Sequence, residues 1–169
     1  SLTELGSIKI NKEERAKMLK TIPRNSIIGF LIGVLPGAGA TIASFLAYGM
    51  ERNLVSDEEK EKFGKGSVHG LAAPETANNA ACSGAFVPLL TLGIPGSGTT
   101  AVMLGALLGF GIQPGPRLYV TNPEIFWSVI MSMYIGMVIL LILNLPLIPY
   151  IARILAVPKN YLIPLILFF

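Results

Sequence analysis

Two apolar blocks in this chain are each interrupted near the middle by the same pattern, Pro-Gly-x-Gly, and this interruption constrains the fold more than any other feature. The first block, residues 25–50, reads SIIGFLIGVL, then PGAG from Pro36 to Gly39, then ATIASFLAYGM. The second reads SGAFVPLLTLGI, then PGSG from Pro95 to Gly98, then TTAVMLGALLGFGI. Each arm is about ten residues, so at about 1.5 Å per residue it covers about 15 Å, half of a bilayer core of about 30 Å. Proline cannot donate a backbone hydrogen bond, and glycine permits sharp backbone geometry. The pattern predicts half-helices meeting near a membrane midplane, either in re-entrant hairpins or in discontinuous spanning helices. For the first block, one kinked helix packed by small residues is the alternative. The second arm of that block is expected to begin at Gly39 or Ala40, with unpaired N–H groups and the positive dipole end facing the break.

Composition supports a bilayer setting. The chain is 52% hydrophobic and 14% charged, with 18 Gly and 12 Pro, whereas soluble domains carry about 25% charged residues. The expected fold class is all-α: a polytopic membrane protein with broken or re-entrant helices and an internal repeat. PGAGATIASFLAYG from Pro36 aligns with PGSGTTAVMLGALL from Pro95, matching Thr41 to Thr100 and Ala47 to Ala106. Paired interrupted segments of this kind point to a transporter binding site. The net charge of +3 says little about nucleic acid, and no nucleic-acid partner is expected. Its distribution serves instead as an orientation signal, with basic loops on the cytoplasmic side.

In chain order, residues 1–24 read as a basic cytoplasmic linker carrying a short interfacial helix, capped by Asn11 with Glu13 and Glu14 in its first turn. A charged loop follows the first block at 51–66, with a helix start at Ser56. Residues 67–116 hold a PETANN segment, rich in small residues, and the second broken pair. A turn-rich connector spans 117–124. Residues 125–146 form the uninterrupted transmembrane helix, ending at Pro146 and flanked by Trp127 and Tyr150 as interface anchors. Residues 147–169 are a connector and the start of a further helix. The first residue is not Met and YLIPLILFF stops inside an apolar run, so a piece of a longer protein is expected.

Two half-helix N-termini aimed at one place make an anion site, because free N–H groups and dipole ends favour carboxylate or phosphate. Gly37, Gly39, Gly96 and Gly98 would bring backbone close to the solute. Thr41, Ser97, Thr99 and Thr100 would add hydroxyls. Asn78 and Asn79 offer amide oxygens, so an alkali cation could be held alongside. Glu75 is an acid among apolar neighbours, costly unless it faces a wet cavity or a partner; with Asn78 it is the candidate for cation coupling. Helix–helix hydrogen bonding is the structural alternative for these hydroxyls and amides. The lone His69 reads as a loop or interface residue, and with one Cys and one His no metal cluster is expected. An enzyme is not expected either: no HExxH or CxxC occurs, and neither glycine motif carries the lysine of a phosphate loop.

The stretches GVLPGAGATIASFLAYGMER and FGKGSVHGLAAPETANNAACSGAFVPLLTLGIPGSGTTAVMLGALLGFGIQPGPRLY resemble the large membrane subunit of the tripartite tricarboxylate transporters. The resemblance runs from about Ile28 to Tyr119 and places the chain in the second half of such a subunit. It implies a multi-pass protein of the bacterial cytoplasmic (inner) membrane, surrounded by lipid. It also implies uptake of citrate-like tricarboxylates or related organic acids, with Na⁺ or H⁺ as coupling ion and no other cofactor. Two partners are implied, a small membrane subunit and a periplasmic solute-binding protein. The segment Pro74, Glu75, Asn78 and Asn79 and both breaks would form the site. A non-transporting scaffold, assembled through small-residue packing, is the competing reading.

Overall fold

A computed structural model describes residues 11–156 and 158–169; the side chain of Leu155 is not described. All regular elements among the described residues are helical, in keeping with an all-α class. The chain divides into two units. One comprises Asn11–Val129, and the other includes Ile130–Phe169.

In the first unit α1 runs Lys12–Val34, α2 Gly39–Leu54, α3 Asp57–Lys60, α4 Val68–Gly84, α5 Phe86–Leu92, α6 Gly98–Gly109 and α7 Leu118–Thr121. Asn11 caps α1 in a reciprocal box with Glu14, and Ser56 and Ser67 cap α3 and α4. Such caps satisfy N–H groups that the first helical turn leaves without partners.

The core is a seam of three helices whose buried residues repeat every fourth position. On α1 these are Thr21, Asn25, Gly29 and Gly33; on α2, Ala43, Ala47 and Glu51; on α4, Ala73, Ala77 and Ala81. Fourfold spacing keeps one narrow stripe on one helix face, and small residues along it let backbones touch. A Cβ placed on Gly29 would fall 2.6 Å from the Cα of Ala77, and one on Gly33 would fall 2.5 Å from the Cα of Ala81. Since 29 meets 77 and 33 meets 81, α1 and α4 run in the same direction. Ser44 meets Asn78 and Glu51 meets His69, so α2 runs against α4.

The basic segment and the first arm are not separate. α1 passes through Pro23 without ending, because its stripe lies against α4 on both sides of the proline and that packing overrides the local breaker. Likewise α4 carries Pro74 in its interior, so the PETANN segment is continuous helix. The second block breaks twice, at Ala85 between α4 and α5 and again after Gly93, which ends α5 in the left-handed region at φ 70°. The two Pro-Gly-x-Gly turns differ. Gly37 and Gly39 adopt φ 89° and 71°, whereas Gly96 and Gly98 keep negative φ. The sequence repeat is therefore not repeated in backbone conformation.

α8, Pro123–Ala152, begins in the first unit and continues in the second. It is 30 residues long, with mean hydropathy 2.4 in its most apolar window. Among the described residues it is the one helix long and apolar enough to cross a membrane. It continues past Pro146 and Pro149, where an end is expected from the sequence. The second unit then has a 3₁₀ turn, Arg153–Ala156, and α9, Lys159–Phe168.

Candidate functional site

The α1–α2 hairpin turns at Leu35–Ala38, and its tip lies against the second break. A Cβ placed on Gly96 would sit 3.7 Å from the Cα of Pro36 and 4.0 Å from the N of Gly37. These are ordinary contact distances, so the two proline–glycine tips touch.

The tips differ in what they leave free. At the second, Ser97 caps α6: its Oγ accepts from Thr100 N at 3.2 Å, and Thr100 Oγ1 accepts from Ser97 N at 2.9 Å and Gly96 N at 3.1 Å. Thr100 is only 3% exposed. The hydroxyls of Ser97 and Thr100, expected as solute ligands, thus hold the turn itself. Gly98 and Thr99 N–H remain without a partner among the described residues, and Thr99 is exposed. At the first tip Ala38 stands where Ser97 stands at the second, and alanine has nothing to cap with. The N–H groups of Gly39, Ala40 and Thr41 are unpartnered among the described residues, and Thr41 is exposed. Of the two tips, the uncapped α2 N-terminus therefore keeps the larger share of unpaired N–H groups and of positive backbone potential.

The PETANN residues sit below this junction. Gly84 lies level with Val34, its Cβ position 3.2 Å from Val34 N. By helical rise Asn78 is then about 9 Å and Glu75 about 14 Å back along α4. Asn78 Nδ2 donates to Ser44 Oγ at 3.3 Å, while Ser44 donates to the carbonyl of Ala40 at 2.9 Å. That chain ties α4 to the first turn of α2. Asn79 and Glu75 are exposed. A cleft of about 300 Å³ opens between α2 and α4, lined by Ser44, Phe45, Tyr48 and Pro74; its walls are carbon-rich and it is not the anion site.

A second polar cluster lies at the other end of the seam. Glu51 is 0% exposed. One guanidinium nitrogen of Arg24 donates to both of its carboxylate oxygens at 2.7 Å. Thr21 Oγ1 donates to Oε1 at 2.9 Å and Asn25 Nδ2 to Oε2 at 3.1 Å. His69 Nδ1 stands 3.1 Å from the same Oε1. Burial pushes the Glu51 carboxyl up, but hydrogen bonds from Arg24, Asn25 and Thr21 and the Arg24 charge outweigh it and hold it below the usual carboxylate range. Apart from His69, read from sequence as a loop or interface residue, this cluster is absent from the residues singled out by sequence. One signal was legible: Glu51 continues the Ala43–Ala47 stripe at the same spacing, so it had to be buried and therefore paired.

The tripartite tricarboxylate transporter TctA family matches residues 2–169. The chain is 44% identical over 160 residues to an "uncharacterized 52.8 kDa protein in TAR-I ttuC' 3'region" of Agrobacterium vitis, covering 95% of this chain and 32% of that protein. It is 47% identical over 141 residues to an "uncharacterized protein in TAR-II ttuC' 3'region" of the same organism, covering 83% of this chain and 57% of that one. The chain thus spans about a third and somewhat over half of these two relatives. No solved structure matches it. The chain belongs to the tripartite tricarboxylate transporter TctA family.

Proposed function

We propose that this chain is part of the substrate-translocating subunit of a cation-coupled secondary transporter that imports tricarboxylates or related organic acids. It would lie in the bacterial inner membrane as a multi-pass protein, act with a small membrane subunit, and be fed by a periplasmic solute-binding protein. Family membership supports transport. The observation that carries the site is the contact of the two tips, with the uncapped N-terminus of α2 at the junction. A carboxylate there would accept from the N–H groups of Gly39, Ala40 and Thr41 and from Gly98 and Thr99, with the Thr41 and Thr99 hydroxyls beside them. Gly37 would act by allowing the positive-φ turn of the first tip, Gly96 by standing where the tips meet, and Ser97 and Thr100 by shaping the second tip. Asn78 would hold the α2 N-terminus in place through Ser44. Glu75 and Asn78 remain the proposed contributors to Na⁺ or H⁺ coupling.

The test is uptake of labelled citrate and related acids by the full-length subunit with its partners, in vesicles. Thr41→Val combined with Thr99→Val is expected to lower uptake about tenfold, the equivalent of about 1.4 kcal/mol, at unchanged expression. Asn78→Ala and Thr100→Val should lower uptake and also loosen the tips. Full uptake by all of these variants would remove the site. A wild-type complex that assembles but moves no acid would favour the scaffold, a reading supported by the close α1–α4 packing.

A further inference from the structure

The cluster around Glu51 has no part in the tips, yet it holds the only buried carboxylate among the described residues beside the lone histidine. Its hydrogen bonds decide where one proton sits. Thr21 Oγ1 donates its single hydrogen to Glu51 Oε1 at 2.9 Å. The same hydroxyl lies 2.8 Å from His69 Nδ1, which is itself 3.1 Å from Oε1. With the hydroxyl hydrogen already committed, Nδ1 faces two acceptors, so Nδ1 must carry a hydrogen shared between them. The lone pair of the neutral ring is therefore on Nε2, which has no partner among the described residues.

A proton added at Nε2 makes the ring cationic without changing any of these contacts. The Nδ1–H bond to the carboxylate, already charge-assisted by the ionised acceptor, then joins two opposite charges and becomes shorter and stronger. The cluster can hold this added charge. Glu51 is fully buried, while the Arg24 side chain is 37% exposed, so water screens part of the one full positive charge facing the carboxylate. The groups around the ring are Thr21, Arg24 and Asn25 from α1 and Glu51 from α2. One turn before Thr21 on α1, Lys17 pairs with Glu59 at 3.1 Å. His69 is the contribution of α4 to the cluster, so its bond adds to the packing of Ala73, Ala77 and Ala81 in holding the start of α4 against the α1–α2 hairpin.

We propose that His69, Thr21, Glu51 and Arg24 form a proton-binding site that sets how firmly α4 is held against the α1–α2 hairpin. Histidine is the side chain whose charge ordinarily changes between about pH 5 and 8, and that is the range over which the site is to be tested. As it bears on transport, the site rests on the translocation reading: a hold on α4 that depends on a proton would make movement of the tips depend on one too. As a site, it stands without that reading.

The experiment follows hydrogen exchange of backbone amides in the purified full-length subunit between about pH 5 and 8, corrected for intrinsic exchange. Wild type is expected to gain about tenfold protection over residues 67–74 at the acid end. His69→Asn keeps a donor near the Nδ1 position but cannot take up a proton, and is expected to show less than about a twofold change. His69→Gln serves if the Asn variant does not fold. A flat profile in wild type, or an equal slope in the variant, overturns the site. In vesicles, the same variant should flatten the pH dependence of uptake. Absence of wild-type uptake would sink the translocation reading alone, with the exchange result still deciding the proton site.

Discussion

Gly33→Ala is expected to destabilise the protein by roughly 2 kcal/mol, within the usual range for overpacking, although alanine is the better helix former by about 1 kcal/mol. The sign is the informative part. On an exposed or lipid-facing helix the added methyl would stabilise α1. Here it would fall 2.5 Å from the Cα of Ala81, and backbone cannot rotate away as a side chain can. Gly29→Ala, facing the Cα of Ala77 at 2.6 Å, should behave alike. Trimming the partner by Ala81→Gly should not rescue Gly33→Ala, because the obstruction is main chain. Thermal unfolding of the purified subunit reads the effect. Stabilisation by either alanine would mean that α1 and α4 do not pack as described.

Glu51→Gln is expected to cost more, roughly 3–5 kcal/mol, the range for breaking a buried ion pair from one side. The amide would leave the Arg24 charge without its counterion, and its NH₂ would face donors from Arg24, Asn25, Thr21 or His69. Arg24→Gln should cost at least as much, because it leaves the Glu51 carboxylate fully buried without its counterion, whereas the Arg24 left by Glu51→Gln is partly exposed to water. The pH dependence follows from the same group. The folded carboxyl titrates below its ordinary range, so its contribution is complete above the unfolded pKa of about 4.3 and disappears as pH falls through the lower folded value. Acid unfolding should therefore lose a component in Glu51→Gln. A variant as stable as wild type, with an unchanged acid limb, would contradict the buried pair.

What could be read from the chain alone was local. Asn11 and Ser56 announce helix starts within a turn of themselves, and the glycines at 39 and 98 mark where α2 and α6 begin. The prolines misled in the other direction. Pro146 and Pro149, read as the end of the transmembrane helix, lie inside α8; Pro23 and Pro74 also lie inside helices, α1 and α4, which pack against each other along the seam. The hydroxyls of Ser97 and Thr100 were legible as chemistry but not as a cap, although Ser-x-x-Thr at a helix start is a capping arrangement. The Glu51 cluster joins residues separated by 18 to 48 positions. No local pattern reports such a pairing; only the fourfold stripe on each helix hinted at it. The apposition of the tips was foreseeable from their shared motif, whereas the asymmetry between a capped and an uncapped tip emerged only from geometry.

The most direct measurement is a cross-link between the tips. Pro36→Cys and Gly96→Cys, placed together in full-length protein with Cys82 replaced by Ser, would put two thiols within disulfide reach, since a Cβ on Gly96 lies 3.7 Å from the Cα of Pro36. Mild oxidation in native membranes is expected to join them in most molecules, and bound carboxylate to slow the reaction. Failure to join, with each single cysteine still reactive to a small thiol reagent, would mean that the two breaks do not meet, and no anion site could be shared between them.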